Sequence, residues 1–440
     1  MNTPVNYEVV RSKLDEIIGE ADIGRASIRE IVKLVNHIER ETGIEYIRME
    51  MGVPGLPPAA IATEAEKRAL DKGVASLYPN IEGIYELKSE TSRFVKLFMD
   101  LDVDPRGCIP SVGSMMGSMA CFMVANRNNA DREGTLFIDP GFPVQKSQIE
   151  MLGQEFMTFD VYNYRGDKLR PKLESILAGG KVSTILYSNP NNPAWICFTE
   201  EELKTIGELA NRYDAIVIED LAYFGMDFRK DYSVPGSPPF QPTVGKYCDN
   251  YILLISSSKV FSYAGQRAGM IVISDTLYNR QYPDLLRYFT SDRFGHCIVF
   301  GALYGLSAGV THTVQYGLAA VLKAVNDGGY KFLEEVREYG HKAEIMKRLF
   351  TSNGFGIVYD RDLDEPIADG FYFTISYPGF TGSQLLERLI FYGISAITLG
   401  ITGSERGEGL RACVSLIRRD QFPDLEQRLK KFAEDHPTAS

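Results

Sequence analysis

Ile28, Ile31, Val32, Val35 and Ile38 recur at three- and four-residue intervals with charged residues between them, the spacing of one buried helix face. Gly43 follows as a stop, since glycine enters the left-handed conformation that ends helices at no steric cost. Residues 51–58, Met-Gly-Val-Pro-Gly-Leu-Pro-Pro, are rich in helix breakers and are expected to run extended. From about residue 100 the period changes. Short apolar runs at 135–138, 183–187, 215–218 and 251–255 predict buried strands, with amphipathic stretches such as 200–213 between them. Alternating strand and helix implies right-handed crossovers and a mostly parallel sheet with helices on both faces. A further apolar run at 270–274 follows after a short interval and could return antiparallel. A long helical region at 311–350 leads into a mixed texture: a strand at 371–375, a helix near 383–391, a strand at 409–416 and a last helix ending near Phe432.

The expected class is therefore α/β, with a large domain built on a mostly parallel sheet flanked by helices and a smaller α+β domain drawn from both chain ends. Residues 1–50 are assigned to an N-terminal arm and part of the small domain, 51–320 to the large domain, and 321–440 to the small C-terminal domain. No internal repeat or low-complexity tract interrupts this scheme.

Composition narrows the function. The 440 residues carry 47 basic and 58 acidic side chains, a net charge of −11, which argues against nucleic acid as the main partner because phosphate backbones are gripped by clustered Lys and Arg. A small anion held by a few local cations is not excluded. The six cysteines lack CxxC spacing and the five histidines lack HxxxH spacing, so neither a metal site nor a disulfide framework is expected. No apolar run is long enough for a membrane span, the nearest being 298–310, and no signal peptide is visible at the N-terminus. The expected setting is cytoplasmic, away from membranes.

Ligands of such sheets sit beyond the carboxyl ends of the strands, so the residues that follow each run matter most. Four ends carry polar or aromatic groups: Asp139-Pro-Gly-Phe-Pro143, Ser188-Asn-Pro-Asn-Asn-Pro193, Glu219-Asp-Leu-Ala-Tyr223 and a segment from Ser256 to Gly269. Taken singly, an Asn-Pro repeat forms turns, an Asp at a strand end caps helices, and Phe142 suits a core. The last segment is more specific. It reads Ser-Ser-Ser-Lys259, with Gly265, Arg267 and Gly269 following at +6, +8 and +10. A lysine at the end of a buried strand has no evident structural purpose, and desolvation would lower its pKa and make it a nucleophile.

The order Asn-Pro-x-Asn-Pro, Asp-x-x-Tyr, Ser-x-Ser-Lys-x5-Gly-x-Arg-x-Gly and a late arginine before an apolar strand resembles the class I/II aminotransferases, fold-type I enzymes that use pyridoxal 5′-phosphate. The likeness runs from Gly52 to Arg411, nearly the whole chain. It implies that Lys259 forms the internal aldimine and shuttles a proton, and that Asp220 faces the pyridine nitrogen and keeps the ring protonated. It implies that Asn192 and Tyr223 bond the ring 3-oxygen and that Phe142 stacks on the ring. Ser256, Ser258 and Arg267 match the phosphate cradle, with Gly113, Ser114 and Met115 at the mouth of a helix, a ready anion site. Arg411 resembles the arginine that takes the substrate α-carboxylate, for which a planar fork is suited, and Gly52 lines the same place. Tyr78 matches a tyrosine that reaches the partner subunit's phosphate, so a homodimer with shared sites is implied. The implied activity is ping-pong transfer of an amino group from an α-amino acid to a 2-oxo acid.

Two departures stand out. Thr-Gly usually follows the second Asn-Pro, whereas this chain has Ala194-Trp195, and Met115 replaces a polar residue. His296, Arg293 and Tyr263 are candidates to line the substrate side-chain pocket, although a structural role is the stronger expectation for each. A β-lyase or amino-acid decarboxylase would use the same lysine, aspartate and arginine. A pyridoxal-phosphate-sensing regulator would need a DNA-binding module, and residues 1–45, with six basic and nine acidic side chains, are too short and too acidic for one.

Overall fold

The apolar runs become the strands of one seven-stranded sheet. In this computed structural model, which describes residues 3–132 and 134–437, they are β1 (Cys108–Ser111), β2 (Gly134–Asp139), β3 (Phe156–Asp160), β4 (Val182–Ser188), β5 (Ile216–Leu221), β6 (Tyr251–Ser256) and β7 (Gly269–Ile273). Their spatial order is β1-β7-β6-β5-β4-β2-β3. The pairs β6·β5, β5·β4, β4·β2 and β2·β3 are parallel. Strand β7 runs antiparallel to both neighbours, as its short connection to β6 suggested. Every residue of β2, β4, β5, β6 and β7 is buried, because helices cover both faces. Two separate apolar clusters result, one with Ile218, Leu254 and Ile271 on one face and one with Val217, Leu253 and Val272 on the other. The edge strand β3 escaped the sequence pattern. Its first three residues are partly or fully exposed, so it carries no continuous apolar run.

The apolar stretch near residue 300 packs as a π-helix, Cys297–Leu303, against the helix Gly113–Ala125. Among the described residues no helix is long and apolar enough to cross a membrane. The helical region at 311–350 divides into His312–Asn326 and Phe332–Ser352, broken where Gly328 takes a φ of +74°. The first of these packs on Ala60–Asp71 and Tyr85–Met99, whereas the second packs on the last helix, Phe422–Asp435.

Four of the remaining strands form a four-stranded antiparallel sheet, in the order Ile397–Thr398, Leu410–Cys413, Tyr372–Ser376, Gly356–Ile357. The N-terminal segment packs beside it through a separate two-stranded pairing. Ser27 and Glu30 form a reciprocal capping box that starts the helix Ile28–Thr42, Gly43 ends it at φ 69°, and Ile47–Arg48 then pairs in parallel with Ile394–Ser395. Both chain ends thus meet beside the edge of the large sheet where the strand ends converge.

Candidate active site

A cavity of about 610 Å³ opens where the carboxyl ends of β2, β4, β5 and β6 meet the small antiparallel sheet. Strand alternation decides which acid faces it. Glu219 and Asp220 are adjacent in β5 and so point to opposite faces. Glu219 turns away and accepts from Thr243 Oγ1 (2.6 Å) and the Val244 N–H (3.1 Å), while Asp220 lines the cavity. Asp220 Oδ2 accepts from Gln145 Nε2 (2.9 Å) and Oδ1 from the Ala222 N–H (3.1 Å). Burial pushes its pKa up to about 6, against the pull of those two hydrogen bonds. Among the described residues no cation pairs with it, so the site holds a buried acid that a protonated ring nitrogen would satisfy.

Lys259, three residues past the end of β6, reaches the same space. Its Nζ donates to the Gly52 carbonyl and lies 5.5 Å from the Phe371 ring centroid. Burial draws its pKa down to about 8, and the Arg411 and Arg267 charges push the same way. No carboxylate meets it among the described residues.

Arg411 sits in the strand Leu410–Cys413 and is 1% exposed. Nη2 donates to the Glu50 carbonyl (2.5 Å) and Nη1 to Asn192 Oδ1 (3.4 Å), while Nε has no partner. Its guanidinium lies 4.6 Å from the centroid of the Tyr372 ring. A buried guanidinium without an acid is expensive. This one faces a cavity in which a substrate carboxylate would complete it.

At the opposite end Gly113 takes a φ of +68°, and a Cβ there would stand 2.5 Å from Arg267 Nη2, so only glycine lets the guanidinium lie against this loop. The helix Gly113–Ala125 begins here, with the Ser114 and Met115 N–H groups unused and both residues on the cavity wall. Ser256, Ser258 and Arg267 line the same end. Two hydroxyls, a helix N-terminus and a guanidinium form a donor set suited to a phosphate. The residues present therefore fit pyridoxal phosphate at both ends and at the ring.

Phe142 and Asn192 also line the cavity, as do Gly52 and Tyr223. Tyr223 is buried, and its hydroxyl shares a 2.7 Å hydrogen bond with that of Tyr372. Trp195 packs edge-on against both rings, at centroid distances of 5.3 and 6.1 Å, and seats its indole where a side chain at Gly370 would clash. The departure from Thr-Gly thus builds an aromatic wall behind Tyr223.

Three candidates for the substrate side-chain pocket lie elsewhere. Arg293 and His296 are exposed and stand outside the cavity lining, His296 resting on Phe300 at 4.9 Å. Tyr263 is buried against Gly317 of the helix His312–Asn326 and also stays outside the lining. All three follow β6 in sequence, but of the residues after Lys259 in this stretch only Arg267 returns to the cavity wall. Tyr78 is 96% exposed and does not reach this chain's own cavity. Sequence reasoning missed Gln145, Tyr372, Arg25 and Arg29. Gln145 lies three residues past Phe142, in the first turn of the helix Pro143–Met151, and its position was the only available signal.

The comparisons agree with this geometry. The family model for aminotransferase class I and II matches residues 45–359. A probable aspartate aminotransferase of Methanocaldococcus jannaschii is 27% identical, over 75% of this chain and 87% of its own length. An LL-diaminopimelate aminotransferase of Aquifex aeolicus is 27% identical over 89% of this chain and 92% of its own. Among solved structures, an aspartate aminotransferase of Thermotoga maritima superposes with a TM-score of 0.74 at 16% identity, covering 96% of this chain and 99% of its own. The cavity brings a strand-end lysine and a buried acid of the large sheet together with a buried arginine of the small one. The chain belongs to the class I and II aminotransferases. It is an enzyme of amino-group transfer between α-amino acids and 2-oxo acids, in a family that depends on pyridoxal phosphate.

Proposed function

We propose that pyridoxal phosphate is held covalently at Lys259 Nζ, with its phosphate on Arg267, Ser256, Ser258 and the N–H groups of residues 113–115. In the same reading Asp220 faces the ring nitrogen, Asn192 and Tyr223 bond the 3-oxygen, and Phe142 covers one ring face. When bound, the cofactor supplies an electron sink for the bonds at the substrate α-carbon. The protein supplies the rest. Arg411 grips the α-carboxylate and Gly52 leaves room for it, which fixes the α-carbon near Lys259. Lys259 Nζ, with a pKa near 8, is partly neutral near neutrality and can carry a proton to and from that carbon. Asp220 stays ionised opposite a cation because only an ion pair relieves its burial. The observation that carries this reading is the set of two cations, Lys259 and Arg411, that have no acidic partner among the described residues, in one cavity with Asp220, a buried acid that has no cationic one.

The domain division at 51 and 320 follows this assignment, with the cofactor on the large unit. A homodimer with shared sites accounts for Tyr78, which projects with Leu77 from the surface and lies outside the cavity of its own chain. Six unpaired cysteines, five of them buried, suit a reducing cytoplasm.

The test uses cofactor-loaded protein mixed with single amino acids and followed by cofactor absorbance. Lys259→Ala should retain noncovalent cofactor and lose turnover by ~10³-fold or more. Arg411→Lys should leave the cofactor spectrum intact and raise KM for amino acids, since an ammonium lacks the fork. Wild-type turnover in Lys259→Ala would overturn the assignment.

A further inference from the structure

A cluster of largely buried charges lies behind the loop 189–198, which carries Asn192 and Trp195. In it Glu202 takes Arg165 in a two-pronged pair (2.7 and 2.8 Å), and Asp227 takes Arg229 in the same way (2.8 and 2.9 Å). A third acid, Asp362, enters from the hairpin that pairs Arg361–Asp362 with Glu365–Pro366, and its side chain is 5% exposed. Its Oδ1 accepts from Arg165 Nη1 and its Oδ2 from Arg229 Nη2, both at 2.7 Å. The same Oδ2 accepts the N–H of Cys197 (3.2 Å), which lies in the loop, 165 positions earlier in the chain. We infer that Asp362 is a positioning residue for the substrate site, acting through the backbone of this loop on Asn192, Trp195 and Arg411. The inference rests on the transaminase reading above and adds to it a residue that stands outside the cavity lining.

The charges indicate what Asp362 is for. Each arginine already has a carboxylate of its own, so the two pairs are neutral without it. Adding Asp362 sets three acids against two guanidinium groups, and an extra buried charge is costly unless its hydrogen bonds are complete. Beyond the two arginines, what completes it is a peptide N–H that has no other acceptor among the described residues. The Cys197 carbonyl is taken by the same cluster, since Arg165 Nη2 donates to it at 2.9 Å. Both backbone groups of one residue are therefore gripped from behind the site.

The loop needs such a hold. Trp195 takes a φ of +62°, a left-handed conformation that glycine enters freely and a tryptophan does not. It stands where the resemblance places a glycine. Inside the loop the Trp195 N–H donates to the Asn191 carbonyl (3.0 Å) and the Asn191 N–H to the Ile196 carbonyl (2.9 Å), so the turn is closed on itself. Cys197 comes directly after that turn, and its two bonds tie the turn to the charge cluster.

From there two contacts lead to the substrate arginine. Asn192 Oδ1 accepts from Arg411 Nη1 (3.4 Å). Trp195 packs on Tyr372, whose ring faces the Arg411 guanidinium at 4.6 Å. A loop that shifts would move both the acceptor and the ring that place Arg411, and a site held loosely binds its substrate less well.

The test pairs Asp362→Ala with a control, Asp214→Ala. Asp214 is likewise shared by two arginines, Arg132 (3.1 Å) and Arg280 (2.7 Å), but it sits just before the first residue of β5, at the end remote from the cavity. Amide hydrogen exchange of the cofactor-free protein gives a readout without turnover. In Asp362→Ala the amides of 191–198 should exchange ~10-fold faster or more, the scale of one buried hydrogen bond to a charged group, while those of β5 and β6 keep their wild-type rates. Asp214→Ala should leave the loop unchanged. In cofactor-loaded enzyme, KM for the common L-amino acid that turns over fastest should rise ~10-fold in Asp362→Ala, with kcat within about threefold of wild type. Asp362→Asn keeps the shape and one of the two oxygens, and should move both readouts in the same direction by less.

A folded Asp362→Ala or Asp362→Asn whose loop exchanges at the wild-type rate overturns the inference. Equal acceleration in β5 and β6, or in the loop of Asp214→Ala, overturns it as well, because it marks general loosening. Faster exchange of the loop with an unchanged KM overturns the link to the substrate site. If no amino acid reacts with the wild-type enzyme, the transaminase reading has failed, and the exchange rates still decide whether Asp362 holds the loop.

Discussion

Replacing Asp220 by Asn should stabilise the cofactor-free protein while disabling the enzyme. Asp220 is buried without a cation, and its pKa stands at about 6 against an ordinary 3.8. Between those values the folded chain holds a proton that the unfolded chain has released. Stability therefore falls as pH rises through that window and remains lowered above it. At roughly 1.4 kcal/mol per pH unit, the interval amounts to about 3 kcal/mol above pH 6. Asparagine keeps the shape and carries no charge. Gln145 Oε1 makes no hydrogen bond among the described residues, so its amide can turn to accept from the new Nδ2, while Asn Oδ1 still accepts from the Ala222 N–H. Urea unfolding of cofactor-free protein should show the variant more stable by about 3 kcal/mol at pH 8 and no more stable at pH 4. With cofactor bound the sign reverses, because the variant has lost the partner of a protonated ring nitrogen. Turnover should fall by ~10²–10³-fold, the scale of a preorganised charge interaction. A cofactor-free variant that is equally or less stable at pH 8 would refute the reasoning, as would a loss of turnover below tenfold.

Two further perturbations probe the surroundings. A Cβ at Gly52 would collide with the Tyr372 hydroxyl, whose ring is clamped between Arg411 and Trp195, so Gly52→Ala should cost about 1–3 kcal/mol of stability and raise KM. Adding Tyr372→Phe removes that oxygen and leaves the next ring atom 3.1 Å away, so the double variant should recover part of both losses; a silent Gly52→Ala would show that the wall yields. Mixing Lys259→Ala with Tyr78→Phe protomers should return activity near one wild-type site per dimer, since one site then collects both defects and the other neither. Hybrids that merely average their parents would place Tyr78 within its own chain.

The apolar runs disclosed the sheet because both of its faces are buried, so β2, β4, β5, β6 and β7 read as unbroken hydrophobic segments. β3 lies at an edge with partly exposed side chains and left no such trace. Lys259, Asp220, Asn192 and Arg411 were legible because each is a polar residue beside a buried strand, in an order that matches a family. Gln145 and Tyr372 were not, for the opposite reason. A glutamine in the first turn of a helix and a tyrosine in an apolar strand are ordinary in sequence, and only tertiary contact with Asp220 and Tyr223 gives them a role. Arg25 and Arg29 were hidden by the distance along the chain between them and every strand end. Arg293, His296 and Tyr263 show the converse, in that nearness to the lysine in sequence brings no nearness to the cavity in space.

Trp195 is the only tryptophan in the chain, and it stands within 5.3 Å of Tyr223 at the back of the site. Light absorbed selectively by the indole is therefore emitted from one address. A chromophore seated against Tyr223 would drain that emission by energy transfer, and a change in its absorption band during turnover would alter the drain. The enzyme thus carries a built-in optical reporter, and loading and each half-reaction can be timed in the unmodified protein without a label.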